Sequence, residues 1–199
     1  MSLLGGIQGQ PCFKVVARRA AVATIICALL ATLAACSSGG GTSSGGALPT
    51  SVGDAKADTS LCNIITTKEF FAAIGVSGGT EKKSTQTVNG DKIVNCLYKP
   101  SVSVRSSSAI NFVFTSDGAA YFSKMKQNEQ GILGNENGLS DLGDEAFWGT
   151  AAPIAADAFQ LNVRKGNVIV VIEMDGTAAD GGVYLSSAKQ FAQTILTHL

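Results

Sequence analysis

The stretch AFQLNVRKGNVIVVIEM, residues 158–174, sets the fold class of this chain. In its first arm Phe159, Leu161 and Val163 alternate with polar residues, which is typical of a strand with one buried face. The second arm, 168–172, is continuously apolar and predicts a central strand buried on both faces. The Lys-Gly-Asn between the arms predicts a tight turn. The stretch therefore predicts an antiparallel hairpin in the middle of a sheet.

Two upstream stretches predict further strands of this sheet. TQTVNGDKIVNCLY predicts a second hairpin that turns at Asn89 and Gly90, and AINFVFT alternates as one more strand. The positions predicted to face the core are Val94, Cys96 and Tyr98 in the hairpin and Ile110, Phe112 and Phe114 in the strand.

Helices are predicted at three places. IITTKEFFAAIG has Thr66 as its N-cap, Glu69 as the capping-box partner and Gly75 as its stop. SDGAAYFSKMKQNEQ starts a second helix at Ser116 or Asp117, and SSAKQFAQTILTHL ends the chain with an amphipathic helix. The apolar stripe of that last helix consists of Ala188, Phe191, Ala192, Ile195, Leu196 and Leu199.

The order of these elements predicts an α+β domain. Each half of it has two or three strands followed by a helix, which suggests duplicated strand-strand-helix halves. We expect an antiparallel sheet with about three helices packed on one face.

The first 35 residues follow the order that secretion machinery reads. A basic stretch ends in Arg18 and Arg19, an apolar core spans 20–33, and two alanines follow. This order predicts a signal peptide over 1–35. A permanent transmembrane span ranks second, because the apolar run is short against the ~20 residues that a bilayer core requires.

The apolar core ends at a cysteine, and serine and glycine follow at once. Leu33-Ala34-Ala35-Cys36 resembles the lipobox of bacterial lipoproteins. In that family the cysteine thiol is joined to a diacylglyceryl group, and the signal is cut just before it. The resemblance implies that fatty acids such as palmitate anchor Cys36 in the cell membrane on its extracytoplasmic face. Two or three acyl chains meet the requirement for more than one membrane-binding signal.

The residues after this cysteine are mostly serine, threonine, glycine and alanine. Such a composition supplies no core, so 36–57 is predicted to be a flexible tether. The remainder, 58–199, is predicted to be a single globular domain.

The remaining cysteines are predicted to form a disulfide. Cys12 and Cys27 would leave with the signal peptide, so Cys62 and Cys96 alone stay in the domain. In an extracytoplasmic compartment such a pair is more often a disulfide than a metal site. Zinc would need further ligands, and His198 is the only histidine of the sequence.

Composition and charge exclude one class of partner. The chain has 199 residues, of which 45% are hydrophobic, with 15 basic and 15 acidic side chains. Three of the bases, Lys14, Arg18 and Arg19, lie in the signal region, so the rest is slightly acidic. We therefore expect no nucleic-acid partner.

The domain resembles the uncharacterised secreted lipoproteins of mycobacteria and related actinobacteria. In many of them a cysteine precedes a short capped helix ending in Leu/Ile-Gly, a second cysteine lies beside an aromatic residue, and Gly-Leu-Gly-Asp-Glu-Ala precedes the second half. The resemblance implies compartment and fold, and it implies no particular chemistry. The matching residues are Cys62, Thr66, Glu69, Ile74, Gly75, Cys96, Tyr98, Leu142, Gly143, Asp144, Glu145 and Ala146.

Acidic residues offer two weak candidate sites. Asp141, Asp144 and Glu145 lie beside Trp148 and could hold calcium or act as an acid/base pair. We favour a solvated turn that enters a strand, and therefore no metal. The glycine-rich stretch 175–182 has two acids but lacks the final glutamate of an EF-hand, so a connecting loop is favoured.

Nucleophilic catalysis has little support in the sequence. Ser186 and Lys189 fit S-x-x-K, but the S-D-N and K-T-G motifs do not follow, so an N-cap and a solvated lysine are favoured. His198 is the penultimate residue, where a helix end frays. We therefore predict that the protein is not an enzyme and needs no cofactor.

The sequence favours a non-enzymatic binding or accessory module presented to an envelope protein. The alternative is a carrier or sensor that encloses a lipid or other apolar molecule in an internal cavity. Aromatic residues at core spacing are more often simply core. The candidate lining residues are Phe70, Phe112, Phe114, Phe122, Phe159 and Phe191, with Phe71 beside them.

Overall fold

The computed structural model describes residues 51–52, 55–101, 107–130, 133, 137–150, 158–175 and 181–199. Two short strands, β1 (Ser51–Val52) and β2 (Ala55–Lys56), pair at the start of this range, and Ala57 is buried. These residues belong to the predicted tether, so ordered structure begins before residue 58. The predicted signal peptide and lipidation site lie outside the described residues.

A first meander of three strands forms one half of the main sheet. It consists of β3 (Gly79–Val88), β4 (Asp91–Pro100) and β5 (Ser108–Phe114), paired antiparallel in that order. Asn89 and Gly90 connect the first two strands with φ of 52° and 93°. A two-residue type I′ turn requires positive φ at both positions, which confirms the predicted hairpin.

A second set of strands completes a seven-stranded antiparallel sheet. It consists of β6 (Asn137–Leu139), β7 (Glu145–Thr150), β8 (Ala158–Lys165) and β9 (Val168–Asp175). The spatial order is β3-β4-β5-β9-β8-β7-β6, so β9 is the middle strand. Its residues 168–172 are all buried, which confirms the predicted central strand.

Three α-helices accompany the sheet: α1 (Thr67–Ala73), α2 (Gly118–Glu129) and α3 (Gly181–Leu196). A short 3-10 helix, Thr59–Asn63, precedes α1. The described elements therefore form an α+β domain, as the sequence predicts.

The helix ends follow the predicted capping signals. The Thr66 hydroxyl accepts the Glu69 N–H at 3.2 Å, and the Glu69 carboxylate accepts the Thr66 N–H at 2.8 Å. Gly75 follows with φ of 67°, the left-handed conformation that ends many helices. Asp117 caps α2 by accepting the Ala120 N–H at 3.0 Å.

The helices pack on both faces of the sheet. On one face Phe70 of α1 stacks on Tyr98 of β4 at 3.9 Å between ring centroids, and on Phe191 of α3 at 5.8 Å. On the other face Phe122 of α2 meets Phe147 of β7 at 5.3 Å. The prediction that all helices share one face is therefore wrong. The first half has three strands before its final helix and the second half has four, and the two final helices cover different faces.

A disulfide joins Cys62 in the 3-10 helix to Cys96 in β4. Both cysteines are buried. The bridge ties the segment before α1 to the second arm of the first hairpin, which confirms the predicted pairing.

Candidate functional site

Polar side chains occupy the sheet face that α2 covers. Residues directly opposite each other on neighbouring strands point to the same face. The pairing aligns Asn95 with Asn111, and Gln160 with Glu173. Asn162 lies on this face beside Gln160 in β8 and is fully buried. We call these five residues, together with Glu129 of α2, the carboxylate-amide face.

Glu129 is held in place by two side-chain amides. Its Oε1 accepts a hydrogen bond from Gln160 Nε2 at 2.8 Å, and its Oε2 accepts one from Asn162 Nδ2 at 3.0 Å. Gln160 Nε2 also donates to the Asn162 oxygen at 2.9 Å. Hydrogen bonds to a charged oxygen are stronger than neutral ones, so the orientation of the Glu129 carboxylate is stabilised.

Glu173 lies directly opposite Gln160 but has a different environment. Its Oε1 is buried and has no hydrogen-bond partner within the described residues. Burial, with a smaller contribution from the nearby negative charge of Glu129, raises the pKa of Glu173 to about 7. The raised pKa of Glu173 thus coincides with a buried acceptor that has no described donor.

The asparagine pair continues the polar surface across the sheet. Asn95 Nδ2 donates to Asn111 Oδ1 across the β4–β5 pair. Tyr121 of α2 is half-buried, and its pKa is raised to about 12 by burial and by the charges of Asp91 and Glu129. The helix therefore covers a surface that is rich in hydrogen-bonding groups.

Glu173 is close to one end of the sheet. Here β4 and β9 end and β5 and β8 begin, as the pairing of Tyr98 with Ser108 and of Ala158 with Asp175 shows. The connections that leave this end include residues 102–106, 151–157 and 176–180, which lie outside the described residues. Of the carboxylate-amide face, Glu173 and Gln160 therefore lie close to the point where the described strands end.

The predicted aromatic lining lies on both faces of the sheet. Phe122 is on the α2 side, so the six phenylalanines do not surround one common space. All six are buried, and Phe159 stacks against Trp148 at 5.7 Å. The five that share one packed cluster are Phe70, Phe112, Phe114, Phe159 and Phe191.

The predicted acidic candidates form ion pairs with bases. Arg164 donates to Asp144 at 2.9 Å and to Glu145 at 3.0 Å. Lys189 donates to Asp141 at 2.8 Å, and this hydrogen bond lowers the pKa of the Asp141 carboxyl. The ion pairs favour a structural role over a metal site or catalysis, because they connect the turn that contains these acids to β8 and α3.

The S-x-x-K residues have structural surroundings as well. Because α3 begins at Gly181, Ser186 lies inside the helix, and the predicted N-cap is wrong. Lys189 is ion-paired and not simply solvated. His198 is exposed, with its Nδ1 2.9 Å from the Thr194 carbonyl oxygen. The acidic loop 175–182 lies largely outside the described residues.

Sequence reasoning missed the carboxylate-amide face. Gln160 and Asn162 occupy the polar positions of an alternating strand, a pattern typical of side chains that face solvent. The available signal was Glu173 at the end of an apolar strand that was expected to be buried on both faces. A charged residue there requires a partner or a function.

Comparisons of the chain with protein-family models, curated proteins and solved structures found no match. Across the described residues, helices that are both long enough and apolar enough to cross a membrane are absent.

Proposed function

We propose that this protein is a lipid-anchored, extracytoplasmic binding module of the cell envelope. Its carboxylate-amide face takes a ligand that carries an alkylammonium group. The observation that carries this proposal is the buried Oε1 of Glu173, an acceptor without a described donor, beside the charge of Glu129.

The hydrogen-bond pattern favours an ammonium ligand. The side-chain amides of Gln160 and Asn162 already donate hydrogen bonds to Glu129. Glu173 Oε1 therefore still requires a hydrogen-bond donor, which a ligand can supply. A primary ammonium offers three N–H donors and a positive charge. It would satisfy the free acceptor and reduce the repulsion between the two carboxyl groups.

The binding role is proposed to be non-enzymatic. The groups that sequence patterns offered for catalysis are used elsewhere, because Lys189 pairs with Asp141 and the other acids pair with Arg164. The alternative of an apolar carrier has less support, since the candidate aromatic residues pack against one another.

The pH dependence of binding follows from the raised pKa of Glu173. The other half-buried charged residues on α2 and β9 are Lys126, Glu129 and Asp175. Since Glu173 is protonated below about pH 7, an ammonium ion has to displace this proton. Affinity is therefore expected to rise between pH 5 and pH 8, by roughly tenfold per pH unit while the group remains protonated.

The binding test uses the purified full-length protein in detergent with putrescine as the probe. Calorimetry at pH 8 is expected to show saturable binding of putrescine but not of choline, whose quaternary nitrogen has no N–H donor. Glu173→Gln should abolish the heat, whereas Glu145→Gln on the exposed Arg164 pair should retain it. Equal binding of putrescine by both variants, or no binding by the wild type, would refute the ammonium site.

The anchoring test is independent of the ligand. Cells that express the wild type and Cys36→Ala would be fed a labelled fatty acid. Label is expected in the wild type alone, because Cys36 would supply the acylated thiol. Persistent labelling of Cys36→Ala would contradict the lipid anchor.

A further inference from the structure

A partly buried carboxylate lies beside the disulfide, on the opposite face of the sheet from the carboxylate-amide face. Glu81 of β3 pairs with Tyr98 of β4, two residues from Cys96. One carboxylate oxygen of Glu81 and the sulfurs of Cys62 and Cys96 all lie within 4.8 Å of one another. Three groups of the kind that bind thiophilic metals are thus gathered from three chain segments.

One oxygen of the Glu81 carboxylate lacks a hydrogen-bond donor in the described part of the chain. This oxygen, Oε1, is buried. A buried carboxylate oxygen without a donor is rare and requires an explanation. The intact disulfide offers it no hydrogen, so the oxidised form leaves this oxygen unsatisfied.

The other oxygen of Glu81 has two polar partners. Thr67 Oγ1 donates to Glu81 Oε2 at 3.0 Å, and Lys83 Nζ lies 3.4 Å from the same oxygen. Outer hydrogen bonds of this kind orient the ligands of protein metal sites. The positive charge of Lys83 also offsets part of the negative charge that two thiolates and a carboxylate would collect.

We propose that, in the dithiol form of the protein, Cys62, Cys96 and Glu81 bind a thiophilic divalent cation such as Zn²⁺. Two Sγ atoms and a carboxylate oxygen of Glu81 supply three ligands and leave a fourth position for water. The metal site and the disulfide exclude each other, because each uses both sulfurs. This proposal is independent of the ammonium site.

Conversion of the disulfide to the metal-binding dithiol form requires a reductant, which we propose is an external dithiol. The dithiol transfers two electrons and two protons to the bridge, so the S–S bond breaks, two thiols form and the dithiol becomes a disulfide. The cation then displaces the two thiol protons and forms two metal–sulfur bonds. Binding should therefore release close to two protons per metal.

The test uses the full-length chain with Cys12, Cys27 and Cys36 replaced by serine, so that the paired cysteines are its only thiols. After reduction with a dithiol and its removal under anaerobic conditions, Cd²⁺ is titrated and the thiolate-to-cadmium absorbance recorded. One Cd²⁺ per chain is expected, in competition with Zn²⁺ for the same site, while the oxidised protein should show none. Absence of stoichiometric binding by the reduced, folded chain would overturn the proposal.

Glu81→Gln replaces the carboxylate by an amide of nearly the same shape. Its affinity for Cd²⁺ should fall at least about tenfold, because a neutral amide is the poorer ligand. Glu145→Gln serves as the control and should bind as the parent does. Circular dichroism of each reduced variant shows whether it folds. If Glu81→Gln fails to fold, Thr67→Val is tested instead, because it removes the hydrogen bond that orients the Glu81 carboxylate. A loss of about tenfold in Cd²⁺ affinity supports the site, and unchanged affinity refutes it.

Discussion

Gly143 shows how one residue can fix the approach of two strands. Its φ is +59°, and a Cβ at this position would lie 2.3 Å from the carbonyl oxygen of Arg164. The next residue, Asp144, donates its N–H to that same oxygen at 2.8 Å and accepts the Gly166 N–H at 2.7 Å. Glycine is thus required because the turn before β7 presses against β8, which gives the Leu-Gly-Asp-Glu-Ala stretch a structural reason.

We predict that Gly143→Ala destabilises the domain by about 2 kcal/mol or more, because the methyl group meets backbone and the φ is strained. Urea unfolding followed by circular dichroism measures the change. Gly138→Ala is the matched control, since a Cβ there meets nothing within 4 Å, and its effect should stay within about 0.5 kcal/mol. Similar losses in the two variants would contradict the close approach.

Glu173 makes a prediction about pH. Its pKa is raised from 4.5 to about 7 in the folded protein, so the folded state holds a proton that the unfolded state releases. The free energy of unfolding should therefore fall as pH rises from about 4.5 to 7, by on the order of 3 kcal/mol. Glu173→Gln cannot ionise and should lack this loss.

The measurement compares urea unfolding of the wild type and Glu173→Gln at pH 4 and pH 8. The variant is expected to gain stability relative to the wild type on going to the higher pH. Glu145→Gln, at an exposed ion pair, controls for the loss of a carboxylate elsewhere on the protein. If the free energies of unfolding of the wild type and Glu173→Gln differ by the same amount at pH 4 and pH 8, the raised pKa of Glu173 is refuted.

Among the elements, α1 depends strongly on its cap. The helix has only seven residues, and isolated helices this short are unstable in water. Its capping box joins Thr66 and Glu69 through reciprocal hydrogen bonds, and hydrogen bonding from Thr66 lowers the pKa of Glu69. The cap therefore helps to place Phe70 against Tyr98.

Thr66→Ala is expected to destabilise the domain by about 1 kcal/mol, because the N–H of Glu69 loses its acceptor. Thermal unfolding provides the measurement. Ser77→Ala, in the exposed bend after α1, should change the melting temperature little. Equal shifts for the two variants would show that the capping box contributes no stability.

Elements with strong local signals were predictable from the sequence. The Asn89-Gly90 turn, the Thr66 cap and the apolar run of β9 each depend on a few neighbouring residues, and all three are confirmed. The placement of α2 on the opposite face was not predictable, since Phe122 would suit either face. The carboxylate-amide face was missed for a related reason: Gln160 and Asn162 are solvent positions unless a helix covers them.

At the scale of the molecule, the disulfide links the outer part of the sheet to the segment before α1. Cys62 and Cys96 are 34 residues apart, and closing a loop of that size should stabilise the fold by about 3 to 4 kcal/mol in the chain-entropy model. Both cysteines also belong to the same buried cluster as the stacked rings of α1, β4 and α3.

Replacing Cys62 and Cys96 together by serine should therefore lower the free energy of unfolding by about 3 to 4 kcal/mol in metal-free buffer. Chemical denaturation of the wild type, with and without reductant, gives the comparison. The reduced wild type should resemble the double variant within about 1 kcal/mol. If reduction leaves the unfolding midpoint unchanged, the bridge does not support the fold.

The central pairing of β5 with β9 also sets the order in which the chain can fold. These strands come from the two separate meanders, so the apolar edge of β5 has no neighbour until β9 has been made. Such distant pairing is slow to form, and an open apolar edge invites association with other chains. The loop between Cys62 and Cys96 lies wholly in the earlier-made part. The disulfide can thus form and stabilise the first hairpin before the last strands of the chain have been synthesised.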